Sequence, residues 1–394
     1  MVVFRIIANF AAMNRPIKLV YVAPSLYIAG GVERVLTLKA NYFADCFGYD
    51  VTVVTTDGAH RQPAFALSKN VKVECLDINF DELWNRPFIQ KAWLYLKKQR
   101  AFRRRLGAFL CEKHPDITIS LLRREINFIN SIGDGSFKIG EMHINRANYR
   151  TVDGGFPAKL FQRYWASRLV SHLSRLKKLV VLTDADRLSW PELDNVMTIP
   201  NPQSFSPSRQ SSLESRRVIA VCRYSQEKGI DLLLRAWKIV SAENDGWELH
   251  VYGDGNREPY QMLAGQLGIS PSALVLHSRT DDVESELCNS SIAVCSSRFE
   301  GFGIAILEAM SCGVPVVSFD CPWGPASMIN DHVDGVLVPN GDVEMLANGI
   351  STLIGNEPLR HQLGRQAKER ASDFSIDSIA ARWQRLFLDI CGEK

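Results

Sequence analysis

Arg298-Phe-Glu-Gly-Phe-Gly-Ile-Ala-Ile-Leu-Glu-Ala-Met310 follows the apolar run Ile292-Ala-Val-Cys295, which reads as a short buried strand. Ser296 and Ser297 open a loop. Gly301 and Gly303 let the backbone approach a ligand with no Cβ in the way. From Gly303 onward Ile304, Leu307 and Met310 fall at helix spacing, and Cys312-Gly-Val-Pro315 stops the helix. A strand, a glycine loop and a helix N-terminus together make an anion site, because free N–H groups and the helix dipole converge there. Glu300 lies in the loop, and Glu308 lies eight residues on, inside the helix. Carboxylates repel phosphate, so both acids are read as acceptors of hydrogen bonds from hydroxyl groups. Phosphate together with a polyol points to a nucleotide sugar. Gly-x-Gly after a strand is common, and a lone helical Glu is ordinarily solvated. The combination carries the reading.

Glu300 and Glu308 have Glu-x7-Glu spacing, with Glu300-Gly-Phe-Gly303 at the head and Leu307-Glu-Ala-Met310 at the tail. Gly313-Val-Pro-Val-Val317 and Gly324-Pro-Ala326 follow. This arrangement resembles the donor site of the retaining glycosyltransferases of family 4, which have the GT-B fold, and the likeness covers almost the whole chain from about Ile17. It implies an α/β protein of two Rossmann-like, doubly wound domains facing across a cleft. By the same resemblance Glu308 bonds the ribose hydroxyls, and Glu300 with the N–H groups of Gly301, Phe302 and Gly303 holds the sugar. Arg223 and Lys228, in Arg223-Tyr-Ser-Gln-Glu-Lys-Gly229, take the diphosphate; two fixed cations offset the charge on a departing nucleoside diphosphate. Ser278-Arg-Thr280 resembles the loop that meets the base, which makes Arg279 a further donor contact. The implied donor is a UDP- or GDP-linked sugar, with no metal and no other cofactor. Many relatives carry an acid where Ser327 stands, which puts one polar contact near the sugar in doubt.

At 394 residues the chain is long for one core, and two domains of about 190 residues are expected. Hydrophobic residues make up 46% and charged residues 23%, a globular composition. Three prolines in Pro200-Asn-Pro-Gln-Ser-Phe-Ser-Pro207 mark a linker. We therefore expect an acceptor domain over 16–200 and a donor domain over 201–375. Ile379, Ala380, Trp383 and Phe387 stand at core spacing in a last helix, and GT-B proteins send such a helix, here 376–394, back onto the first domain. Residues 1–15 are read as an extension. Their apolar run is broken by Arg5 and Asn9 and has no charged segment before it, which argues against a signal peptide or a membrane span. Nine cysteines show no Cys-x-x-Cys and no Cys/His cluster, which argues against zinc and disulfides and fits a reducing compartment.

The net charge of +3 conceals an asymmetry. Residues 1–200 carry 29 basic and 18 acidic side chains, and residues 201–394 carry 17 and 25. A basic half beside an acidic one fits an anionic partner for the first domain. Residues 86–113 supply it, with Arg86, Lys91, Lys97, Lys98, Arg100 and Arg103 to Arg105 among Phe88, Trp93, Leu94, Leu96, Phe102, Leu106 and Phe109. A solvated helix face is the plain alternative. We favour docking on anionic lipid headgroups, with Trp and Phe entering the interface, over nucleic acid, for which no motif is present. Residues 155–175 are read as a second basic helix.

Lys18-Leu-Val-Tyr-Val-Ala23 is the first expected strand, followed by Gly30 and Gly31 and a helix from about Val32 to Phe47. This glycine pair either makes a tight turn or offers N–H groups to a phosphate or hydroxyl; by resemblance it faces acceptor and donor diphosphate. Glu141-Met-His143 falls just past a strand, where open α/β sheets place ligands. A lone His is more often structural; by resemblance His143 faces the transferred sugar. Asp184-Ala-Asp186 is read as helix capping rather than a metal motif.

The reaction implied is sugar transfer to a hydroxyl with retention, by front-face attack, since the role given to Glu308 leaves no carboxylate as a nucleophile. The acceptor expected is a glycan or lipid-diphosphate-linked glycan in capsule, exopolysaccharide or O-antigen synthesis, with the protein peripheral on the cytoplasmic membrane face. Two rivals are a nucleotide-sugar 2-epimerase, which shares the architecture but lacks Glu-x7-Glu, and a non-catalytic partner subunit.

Overall fold

The computed structural model describes residues 15–83, 87–146 and 166–392. The readings made on residues 1–14, on Arg86 and on 155–165 of the second basic helix lie outside the described residues, as does the side chain of Phe88. The chain divides into two compact units, Met1–Pro200 with Ile376–Lys394, and Asn201–Ser375.

The first unit runs β1 (Lys18–Ala23), α1 (Gly31–Asp45), β2 (Asp50–Thr55), β3 (Val71–Cys75), α2 (Phe88–Lys113), β4 (Ile117–Ser120), β5 (Phe137–Glu141), β6 (Lys178–Val181), α3 (Asp184–Leu188) and β7 (Val196–Thr198). Its strands form one parallel sheet in the order β3-β2-β1-β4-β5-β6-β7. Leu19 to Ala23 are all buried. A parallel strand is covered on both faces, so it is apolar at every position rather than at alternate ones.

The second unit runs β8 (Arg217–Val221), α4 (Ile230–Glu243), β9 (Glu248–Tyr252), α5 (Glu258–Leu267), β10 (Leu274–His277), α6 (Val283–Cys288), β11 (Ile292–Cys295), α7 (Ile304–Ser311), β12 (Val316–Asp320), β13 (Val336–Pro339), α8 (Val343–Gly355) and α9 (Glu357–Ser372). Its parallel sheet has the order β10-β9-β8-β11-β12-β13. In each sheet the strand order reverses once, at β1/β4 and at β8/β11. Loops leaving the carboxyl ends of the strands diverge there, which opens a crevice.

The last helix, α10 (Ile376–Cys391), belongs to the first unit. Ile379, Ala380, Trp383, Phe387 and Ile390 form its buried face. Phe387 meets Phe43 of α1 edge-on at 5.5 Å and Tyr49 at 6.3 Å. Side chains of this size contribute about 1.5–3 kcal/mol each when fully buried, so α10 is part of that core.

Two details correct the sequence reading. In α2, Phe102 and Leu106 are buried with Leu110 in the core, so they are not available to a membrane. Lys98 and Arg105 are also engaged within the unit, donating to the carbonyls of Ile78 and Asn79 and of Leu76 and Asp77. Trp93 and Leu96 remain exposed beside Lys97, Arg100, Arg103 and Arg104. In α3 the cap is Thr183, whose hydroxyl accepts from the Asp186 N–H at 3.1 Å. Asp184 and Asp186 instead occupy the first turn, where the dipole favours acids. Asp184 accepts from the Thr198 hydroxyl and Asp186 from the Arg146 N–H.

Candidate active site

Because β8 and β11 are neighbours, the loops after them meet although 70 residues of sequence separate them. Lys228, at the end of the first loop, donates to Glu300 Oε1 at 2.6 Å. The Ser297 hydroxyl donates to the same oxygen, also at 2.6 Å. The Glu300 side chain is 12% exposed, so this is a half-enclosed ion pair at the crevice rather than a surface one. Burial by itself lowers the Lys228 pKa, but the adjoining Glu300 carboxylate reverses this and leaves it raised. The cation therefore persists at any physiological pH.

The loops are locked by backbone geometry. Gly229 caps α4 with φ +61°, and a Cβ there would lie 2.0 Å from the Ser296 carbonyl oxygen. Only glycine permits both the left-handed turn and that approach. Ser296 in turn donates to the Lys228 carbonyl at 3.0 Å. Arg298 binds Asp231 through both terminal nitrogens at 2.8 Å and donates to the Gln226 carbonyl. The two loops are thereby fastened together on both sides of Lys228 and Glu300. Gly303 caps α7 with φ +99°, which turns the helix N-terminus toward the Glu300 loop. Phe302 is buried, edge-on to Phe374 at 6.1 Å, and anchors that loop while leaving its N–H as the candidate contact. Glu308, inside α7, is 6% exposed. Neither acid of the Glu-x7-Glu pair therefore extends into bulk solvent.

Arg223 and Arg279 lie further out. Arg223 pairs with Glu227 at 2.8 Å with its side chain 69% exposed, and Arg279 pairs with Asp281 at 3.1 Å. Both are surface pairs, which are weak and readily exchanged for another anion. Ser327 donates to the Gly324 carbonyl, and Arg370 donates to the carbonyls of Ser327 and Met328 at 3.2 Å. The Ser327 hydroxyl is thus used to close its own turn. A Cβ on Gly324 would fall 2.7 Å from Glu300 Cβ, so this turn packs directly behind the acid.

In the first unit a small pocket is lined by Val32, Leu121, Leu122, Arg123, Met142, His143 and Ile144. Its walls come from the start of α1 and the ends of β4 and β5. Gly30 is the N-cap residue of α1 and Gly31 its first residue. Glu33, one turn on, folds back so that its Oε2 lies 2.4 Å from where a Gly30 Cβ would stand. Burial raises the Glu33 carboxyl above its usual range. His143 Nε2 lies 3.1 Å from Glu141 Oε1. The sequence reading found His143, Gly30 and Gly31 but not Glu33 or Arg123, and it quoted Glu141, Ser297 and Arg298 without giving them a role. Asp231 it passed over. Among the described residues no three His, Cys, Asp or Glu side chains are grouped as a metal site requires. Among the described residues no helix is long and apolar enough to cross a membrane.

The family model for "Glycosyl transferases group 1" matches residues 203–370. This span contains Arg223, Lys228, Glu300 and Glu308. An uncharacterized glycosyltransferase of Haemophilus influenzae is 26% identical over 90% of this chain and 96% of its own length. The second unit thus matches the group 1 glycosyltransferases over nearly its whole length. A second full-length relative is a Campylobacter jejuni enzyme. That relative is named as an alpha-1,4-N-acetyl-D-galactosaminyltransferase acting on a diNAcBac-PP-undecaprenol-linked GalNAc disaccharide. It is 25% identical over 92% of this chain and 96% of its own length. Among solved structures, Staphylococcus aureus TarM, crystallised with UDP and alpha-GlcNAc-glycerol, superposes with a TM-score of 0.75. The superposition covers 94% of this chain and 99% of TarM at 17% identity, a likeness of fold.

Proposed function

We propose that this protein moves a sugar from a nucleoside diphosphate sugar to a hydroxyl of a lipid-diphosphate-linked glycan, with retention, in the building of a surface polysaccharide. The observation that carries the reading is the meeting of Lys228, Glu300 and the N-terminus of α7 at adjoining strand ends. The Lys228 ammonium and the free N–H groups of α7 suit a diphosphate. A diphosphate drawn to Lys228 competes with Glu300 for the same ammonium and releases Glu300 Oε1 to a sugar hydroxyl. Arg223 turns from Glu227 to the departing phosphate, and Glu308 accepts from the ribose. The name of the Campylobacter relative, with its PP-undecaprenol substrate and alpha product, supports the choice of acceptor. A donor whose sugar is α-linked to its diphosphate gives an α product only by retention. With Glu300 given to a sugar hydroxyl and Glu308 to the ribose, no carboxylate is left to act as nucleophile, so front-face attack fits better than a covalent sugar on Glu300. The exposed Trp93, Leu96, Lys97, Arg100, Arg103 and Arg104 of α2 hold the protein to an anionic membrane surface.

The test is a panel of UDP- and GDP-sugars scored by melting temperature, followed by transfer to undecaprenyl-diphosphate glycans with the best donor. A bound donor raises the melting temperature by mass action. We expect one donor to stabilise wild type and not Lys228→Met, and the anomeric configuration to be kept in the product. Product formed without any acceptor would mark an epimerase, and donor binding with no turnover on any acceptor would mark a non-catalytic subunit. Either result overturns the proposal.

A further inference from the structure

The first unit holds a buried charge pair that the donor chemistry does not use. Lys39 lies in α1 and Glu141 ends β5. Both side chains are 1% exposed, and the Lys39 ammonium donates to Glu141 Oε1. Lys39 Nζ also stands over the rings of Trp383 and Tyr21, at 4.8 and 5.8 Å. His143 Nε2 lies 3.1 Å from the same Glu141 oxygen, with its side chain 6% exposed. Among the described residues neither His143 Nε2 nor Glu141 Oε2 has a partner of full hydrogen-bond geometry, so the 3.1 Å approach of Nε2 to Glu141 Oε1 is an electrostatic contact between buried groups.

A carboxylate buried this deeply is costly unless a cation neutralises it. Lys39 is that cation. With Lys39 beside it, Glu141 stays ionised at about 2, although burial alone would raise its pKa. An ionised carboxylate only accepts hydrogen bonds, so the ring nitrogen facing it must carry the hydrogen. Whenever the ring is neutral, the other nitrogen, Nδ1, is then a lone-pair acceptor. The remaining charged groups around the ring are Glu33 from α1 and Arg123 after β4, which share the same pocket edge.

We propose that Lys39 and Glu141 are positioning residues that hold His143 as the neutral Nε2–H tautomer, so that Nδ1 is the atom that accepts a hydrogen bond from the acceptor hydroxyl. The catalytic meaning of this rests on the transferase reading above, whereas the state of the ring does not.

Long-range proton–nitrogen NMR of the imidazoles distinguishes the two neutral tautomers and the imidazolium by their cross-peak patterns. The protein has eight histidines, and His143→Gln assigns the ring by subtraction. In the wild-type protein without substrate, at about pH 8 where free imidazole is neutral, we expect the Nε2–H pattern for His143. The Nδ1–H pattern would overturn the proposal without any variant. The double variant Lys39→Met/Glu141→Leu removes both buried charges together, a change that cores tolerate. It should mix the two tautomers and lower turnover about tenfold, the effect of one misplaced hydrogen bond, with donor affinity unchanged. An unaltered ring pattern in the folded double variant would overturn the positioning role. An altered pattern with undiminished transfer would uphold the positioning and remove His143 from the reaction.

Discussion

Glu308 and Arg223 are given different tasks, and single substitutions separate them. Glu308 is buried in α7 and is proposed to read the nucleotide, so Glu308→Ala should weaken donor affinity by tenfold or more. Such a loss corresponds to about 1.5–3 kcal/mol for one charge-assisted hydrogen bond. Arg223 is exposed and is proposed to meet charge that develops late, so Arg223→Ala should lower single-turnover rate more than affinity. Calorimetric donor binding and rapid-quench rates check the pair, and the reverse pattern would refute the assignments. Gly229 answers to backbone geometry alone. With φ +61° and the Ser296 carbonyl 2.0 Å from any added Cβ, Gly229→Ala should cost about 1–3 kcal/mol in urea unfolding and misplace Lys228 beside it. The residues legible in the sequence were those at strand–loop–helix junctions, such as Glu300, Lys228 and His143, because glycines and strand ends flag such places. Lys39 carried no flag, since a Lys in an amphipathic helix reads as solvent-facing. Its burial follows from the neighbours that the sheet order gives β5. The Arg298–Asp231 clasp was hidden for the same reason, because it forms only once β8 lies beside β11.

α2 shows how far periodicity reaches. Its length and helicity were plain from the sequence, but the division of its aromatic residues was not. Phe102, Leu106 and Leu110 recur every four residues and face the core, while Trp93 and Leu96 fall on another line and stay outside. The alternation of basic and apolar residues conceals two stripes, one for packing and one for contact. The proposed membrane contact therefore rests on Trp93 and Leu96 with Lys97, Arg100, Arg103 and Arg104. We expect sedimentation with vesicles containing phosphatidylglycerol, and little with neutral vesicles. Trp93→Ala/Arg103→Glu/Arg104→Glu should abolish it without changing the melting temperature, since none of these side chains is buried. Binding to anionic vesicles that survives this variant would exclude α2 as the contact.

In the whole molecule, two runs of alternating strands and helices made two parallel sheets legible, because parallel strands buried on both faces are continuously apolar. The charge asymmetry also follows the division, with the basic side chains concentrated before Pro200. The first unit is completed by a segment that follows the second in sequence. Trp383 is 1% exposed in this core. Trp383→Ala should cost about 3–5 kcal/mol, measured by chemical unfolding, and should blunt the transition of the first unit before that of the second. Loss of one concerted step through both units would count against this. The return of α10 also sets an order of events during synthesis. As the nascent polypeptide leaves the ribosome, the first sheet emerges early but must wait, with Phe43 and Tyr49 uncovered, while some 175 residues of the second unit pass through. The later-made half can mature before the earlier one. A transcript truncated downstream of Ser375 would yield a chain whose amino-terminal lobe is a client for chaperones rather than half an enzyme.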